Sequence, residues 1–257
     1  RGIMGIGIGL LNTAVASLPA VYFPSGSSRD TATGIQSAFI SAGGILFSLL
    51  SGRLAMIHWK LVFLVQLINL IPLATALFFM PASSSNDTSV PKRPADSIFV
   101  KEATLITLLS FVCILMTCTY PLNLSVYVAE SSLGDSQFVG VLTSINSLLG
   151  FLIGLVFGKV LSKIKALTLP VGLLFTSFGF FIVTFAPSPL MLLLGSVVFG
   201  LGSSLVSPAL YARLYHEVPE DKIVSAVALL GIGINVSQFV SPFIINPLAK
   251  QIDGTST

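Results

Sequence analysis

Eight apolar stretches of roughly 20 residues follow one another along this chain, a length that matches the hydrocarbon thickness of a bilayer. They run near 1–22, 34–54, 61–81, 103–128, 137–157, 166–186, 189–211 and 223–247. Inside hydrocarbon the backbone has no water to bond, so such a stretch satisfies its own N–H and C=O groups only as an α-helix. Charge agrees: Asp, Glu, Lys and Arg make up 9% of the 257 residues, against about a quarter in soluble domains. With a mean hydropathy of +0.95 the chain cannot cover a water-facing surface. An all-α integral membrane protein is expected. The first stretch lacks the basic lead and polar flank of a signal peptide.

The longest polar connector, Ser83 to Asp96, is rich in Ser, Pro and charge. It reads as part of a linker at 82–102, dividing the chain into three spans (1–81) and five (103–257). Lys and Arg placement sets orientation. Arg29, Lys92, Arg93, Lys101, Lys159, Lys163, Lys165, Arg213 and Lys222 fall in alternate connectors, nine against three (Arg53, Lys60, Lys250) on the other side. The nine mark the cytoplasmic side. A net charge of +3 gives no reason to expect a nucleic-acid partner. Cys113 and Cys118, five apart, lie on different faces of one helix, so no disulfide is expected. His58 and His216 sit at or near span ends with no metal-ligand spacing, and no cofactor is expected. The sequons at Asn86, Asn123 and Asn235 fall in the linker or in spans and read as unglycosylated.

Arg1-Gly-Ile-Met-Gly5-Ile-Gly7-Ile-Gly9 opens the first stretch. Glycines there let a neighbouring helix approach closely, and an Arg in hydrocarbon needs an acceptor or a watery path. Gly5, Gly7, Ala14 and Pro24 recur as Gly200, Gly202, Ala209 and Pro219, at a constant offset of 195. A span–turn–span unit duplicated on either side of a linker is the pattern of a parallel transporter repeat.

On these residues the chain resembles the major facilitator superfamily, over spans four to eleven of twelve. Arg1-x-x-x-Gly5-x-Gly7-x-Gly9 is similar to its span-four signature. His58-Trp59-Lys60-Leu-Val-Phe63 is similar to the start of its span six. Gly158-Lys-Val-Leu-Ser162-Lys163-Ile-Lys165 is similar to its repeated loop motif, and Val218-Pro219-Glu220 to the start of span eleven. Two departures stand out. Ser162 occupies the place of the loop motif's Asp. Gly34 and Gly43 keep the spacing of the exporter-type glycine motif, but Phe47-Ser48 replaces its Gly-Pro.

The resemblance implies a bundle of two pseudo-symmetric halves, here a piece lacking three spans at one end and one at the other. It implies a secondary transporter, monomeric, in a bacterial cytoplasmic membrane, with protons as a possible coupling ion. It also implies roles. Arg1 would assist coupling, against the plainer reading of a charge snorkelling to the interface; Gly5, Gly7 and Gly9 would form a packing surface. Gly158, Lys159, Lys163 and Lys165 would belong to a gating loop, beyond their role in topology.

Tyr120, Asn123 and Tyr127 fall at i, i+3 and i+7, on one helix face beside Pro121, a residue that frees backbone carbonyls. They form the candidate substrate-facing surface; the plainer reading is interhelical bonding by Asn123 and interface anchoring by Tyr127. Asn12, Ser204 and Ser207 (with Ser203) belong to helices that line the family's cavity. Gln36, Asn146, Asn235 and Gln238 read as amides joining helices.

No carboxylate lies centrally in an assigned span, so a proton-loading acid is expected elsewhere in the parent protein, or the protein is a uniporter. A membrane-embedded enzyme would need a clustered catalytic set, which the spans lack. The reading is a carrier of a small organic solute, as a proton-coupled multidrug-type exporter. A sugar or metabolite importer, or a non-transporting sensor on the same fold, stays open.

Overall fold

The computed structural model describes residues 2–23, 25–58, 67–68, 70–79 and 101–252. Its helices are α1 (Gly2–Tyr22), α2 (Ser27–Ile57), α3 (Leu70–Phe79), α4 (Lys101–Glu130), α5 (Ser136–Ile164), α6 (Thr168–Thr184), α7 (Pro189–Glu217) and α8 (Ile223–Ile252). Short 3₁₀ turns at Lys165–Leu167 and Glu220–Lys222 join α5 to α6 and α7 to α8. Ser27–Ser51, Lys101–Glu130, Ser136–Thr184, Pro189–Glu217 and Glu220–Ile245 are long and apolar enough to cross a membrane.

Local chemistry explains the boundaries. Asp135 caps α5 by accepting from the Phe138 amide at 2.8 Å, and Ser188 caps α7 ahead of Pro189. Gly26, with φ +106°, makes the turn into α2 that a side chain would disfavour. The sequence ends the fifth stretch at 157 and treats 159–165 as connector, but α5 runs on to Ile164. Nothing in Gly158 to Ile164 breaks a helix, and the apolar period marks only the lipid-buried part. The break comes at Lys165, where φ is +45°. Likewise α2 begins at Ser27, not near 34, so Arg29 and Asp30 lie in its first turn and not in a connector. They are buried, 4% and 8% exposed. Of the expected span at 61–81, only part lies within the described residues.

Small residues decide which helices touch. Apolar side chains gain little from leaving lipid for protein, so close backbone packing carries association. α2 and α5 run antiparallel along a seam of Gly34, Ala38, Ser41 and Gly44 against Gly158, Gly154, Gly150 and Ser147. A Cβ placed on Gly154 would lie 2.7 Å from the Ala38 nitrogen. α6 and α7 form a second seam, where a Cβ on Gly202 would meet the Thr176 nitrogen and one on Gly179 the Phe199 nitrogen. Side chains close the remaining contacts. Ala103, Ile106, Leu214, Tyr215, Val218 and Ile223 join the start of α4 to the α7–α8 turn. At the opposite end Leu124, Val128, Leu142 and Leu192 join α4, α5 and α7.

Gly7 and Gly9, expected to pack, lie in α1 with no atom of the described residues within 4 Å of a Cβ placed on either. Their repeat partners Gly200 and Gly202 are tightly packed. Gly43, unlike Gly34, also faces open space.

Candidate functional site

Polar groups gather at the end where α1 finishes, α2 begins and α5 and α7 finish. This end carries Lys159, Lys163, Lys165, Arg213 and Lys222, and it is called the basic end below. Arg29 projects from the first turn of α2 back onto the last turn of α1. Its guanidinium donates to Phe23 O at 3.1 and 3.2 Å and to Ala20 O at 3.2 Å. These carbonyls have no intrahelical donor, and a cation at a helix C-terminus also suits the helix dipole. Across the interface Arg29 pairs with exposed Glu220 at 3.5 Å and lies 5.9 Å from the Tyr215 ring centroid. Its remaining terminal nitrogen, Nη1, is buried with no hydrogen-bond partner among the described residues.

Two more bonds span the same gap. Tyr215 donates its hydroxyl to Ala16 O at 2.8 Å, tying α7 to α1. His216 Nε2 lies 3.1 and 3.2 Å from the two oxygens of Asp30, tying α7 to α2. Asp30 sits in the first turn of α2, where a negative charge meets the positive end of the helix dipole. A cavity of about 540 Å³ opens beside this pair, lined by Asp30, Lys165, Leu169, Arg213, His216 and Glu217 among others. Arg213 and Glu217 pair within α7 at 2.7 Å. Sequence reading missed this cluster: Arg29 entered only as a topology charge, and His216 as an interfacial residue.

The residues singled out from sequence are distributed differently. Tyr120 is buried against α7, donating to Ser196 Oγ at 2.7 Å with its ring stacked on Phe199 at 4.2 Å. Tyr127 donates to Val183 O of α6 at 3.0 Å. Both tyrosines therefore join helices, while half-buried Asn123 bonds its own helix at Thr119 O. Asn12 is exposed on α1, and Ser204 returns its hydroxyl to Gly200 O at 2.6 Å, with half-buried Ser207 one turn further on. Asn146 stands out instead: its amide nitrogen bonds Leu142 O, leaving a buried Oδ1 facing Gly200 with no hydrogen-bond partner among the described residues. Of the expected gating residues, Gly158 packs on Thr31, Lys159 and Lys163 are exposed on α5, and Lys165 lines the cavity. Ser162, in place of an acid, turns to Lys159 O. Arg1 lies outside the described residues. Among the described residues no cluster of His, Cys, Asp and Glu is suited to hold a metal.

The arrangement is thus a set of long apolar helices meeting along glycine seams, closed at one end by polar bonds between distant parts of the chain. The family model for the Major Facilitator Superfamily matches residues 1–242. The chain belongs to that superfamily. The chain is also similar to an uncharacterised MFS-type transporter of Methanocaldococcus jannaschii, 25% identical over 117 residues. That match covers 46% of the chain and 30% of the archaeal protein. Membership and the apolar helices make it a multi-pass integral membrane protein with an all-α bundle fold.

Asn146 provides a test of helix packing in this chain. Asn146→Leu removes the orphaned acceptor, but its branched side chain meets Gly200; Asn146→Ala removes both. The alanine variant is expected to match or exceed the parent's thermal stability in detergent, because an unsatisfied buried polar atom costs about 1–3 kcal/mol. A marked loss of stability would show that Oδ1 holds an unseen partner.

Proposed function

We propose that the chain forms much of a secondary transporter that moves a small organic solute by alternating access. In this reading residues 1–81 and 103–257 belong to two bundles, 82–102 is the cytoplasmic linker, and the basic end faces the cytoplasm. One observation carries it. The bonds from Tyr215 to Ala16, Arg29 to Glu220 and His216 to Asp30 join α1 and α2 to α7 and its following turn through polar contacts at one end. A few such bonds at the rim of a smooth seam suit a rigid-body rocking motion that breaks and remakes them. The conformation described is the one closed at the basic end.

The solute class proposed is a small amphiphile, exported in exchange for protons. Its support is the low charge of the spans, their amides and aromatics, and the glycine spacing kept at Gly34 and Gly43. The test is proton-gradient-driven movement of a fluorescent amphiphilic dye in vesicles holding the full-length parent. Dye movement that collapses with a protonophore is expected, and Arg1→Ala is expected to lose it. A folded, inserted protein that moves no dye would overturn export of amphiphiles and direct the search to sugars and metabolites.

A further inference from the structure

We propose that His216 is a proton-binding site, filled from the water at the basic end, whose occupancy holds that end closed. The proposal rests on the alternating-access reading above and adds to it a ligand and a residue.

Burial shows how the proton arrives. The His216 side chain is 51% exposed while that of Asp30 is 11% exposed, so the ring meets water and the carboxylate is sheltered behind it. The cavity beside them is lined by both residues and offers water a route to them. With the ring neutral, Nε2–H donates one hydrogen bond to the Asp30 carboxylate. A proton taken from water onto Nδ1 leaves that bond in place and turns it into a charge-assisted pair, the stronger kind. Histidine is the side chain whose charge ordinarily changes between about pH 5 and 8.

Other charges face the ring, and none reverses this outcome. Arg213 and Glu217, on the same helix, pair with each other at 2.7 Å. Arg29 of α2 turns its fork to Phe23 O, Ala20 O and Glu220, the acid on the following turn. Lys165 lines the same cavity and opposes a second cation, but its side chain is exposed and its charge is therefore solvent-screened. Asp30, with both oxygens at 3.1 and 3.2 Å, dominates. Opening the basic end separates α2 from α7 and removes Asp30 from the ring. Protonated His216 thus keeps Asp30 as its partner only in the closed form, so the proton favours that form. Cytoplasmic acid would slow the return of the carrier to its inward-open state.

The experiment is a spin-label distance measurement on the full-length protein in lipid, without solute or gradient. Labels go on Tyr22→Cys and Leu167→Cys, exposed positions on the two sides of the gap, with Cys113, Cys118 and any other native cysteine replaced by serine. Between about pH 8 and pH 6 the open-to-closed ratio is expected to fall about fivefold, the low end of allosteric couplings, because His216 is half-exposed. His216→Gln keeps an amide donor for Asp30 and cannot take the proton, so its ratio is expected to stay flat; Asp30→Asn should also be flat. A pH response that survives His216→Gln, or no response in the parent, overturns the proposal while two distance populations leave alternating access standing. A single population at every pH, unmoved by saturating dye, overturns both.

Discussion

Gly154→Leu is expected to abolish the proposed transport while leaving the separate helices formed. A Cβ at Gly154 would lie 2.7 Å from the Ala38 nitrogen, 2.7 Å from Gly34 O and 2.9 Å from the Ala38 Cα. All three are backbone atoms, so no side chain can swing aside and α2 and α5 must part. Overpacking a tight contact costs about 1–3 kcal/mol even where neighbours relax, and here they cannot. Every smaller contact along the seam would be lost with it. Disulfide trapping of Ser48→Cys with Ser144→Cys reports the separation, since these hydroxyls stand 3.4 Å apart in the parent. Rapid cross-linking is expected in the Gly154 background and little in Gly154→Leu. Gly43→Ala is the control on the same helix: its Cβ meets nothing, and it should be neutral or slightly stabilising. Equal cross-linking in both variants would show that the seam yields more easily than its backbone contacts imply.

Arg29→Ala is expected to destabilise the protein in detergent by about 3 kcal/mol, the scale of stranding buried polar partners. Its removal leaves Phe23 O and Ala20 O without their donor and frees Glu220 and the Tyr215 ring. Most of the loss comes from the two carbonyls, since Glu220 is largely exposed and its pair is solvent-screened. Arg29→Lys keeps the charge but not the planar fork that serves two carbonyls at once, so it should recover less than half. Thermal unfolding followed by size-exclusion chromatography gives the comparison. Full rescue by lysine would mean that charge alone matters there.

The helices were legible because about 20 apolar residues in a row admit few alternatives, and α1 and α4 to α8 begin within a few residues of the expected positions. Their polar ends were less so. Hydropathy falls at Arg29 and Lys159, whereas the helix stops only where backbone geometry changes, at Gly26 and Lys165. Partners were the hardest. Gly34 could be picked from its motif spacing, but nothing in the chain says that Gly154 opposes it. The period of Tyr120 and Tyr127 puts them on one face of α4; that they meet Ser196 and Val183 depends on helix order in space. Asp30 and His216 are 186 residues apart, and each alone looks like an ordinary span-end residue.

The position of the α2–α5 seam along α2 sets a mechanical ratio. Taking Ala38 as its midpoint leaves about 11 residues of α2 toward the basic end and about 19 beyond, or lever arms of roughly 17 and 29 Å. A tilt of about 10° about that fulcrum would carry the near tip roughly 3 Å and the far tip roughly 5 Å. Asp30, eight residues from the fulcrum or roughly 12 Å, would move roughly 2 Å, already enough to carry its 3.1 Å contact with His216 out of hydrogen-bonding range. A small rotation would thus unlock the short arm fully while the long arm, with the wider sweep, shuts the opposite mouth.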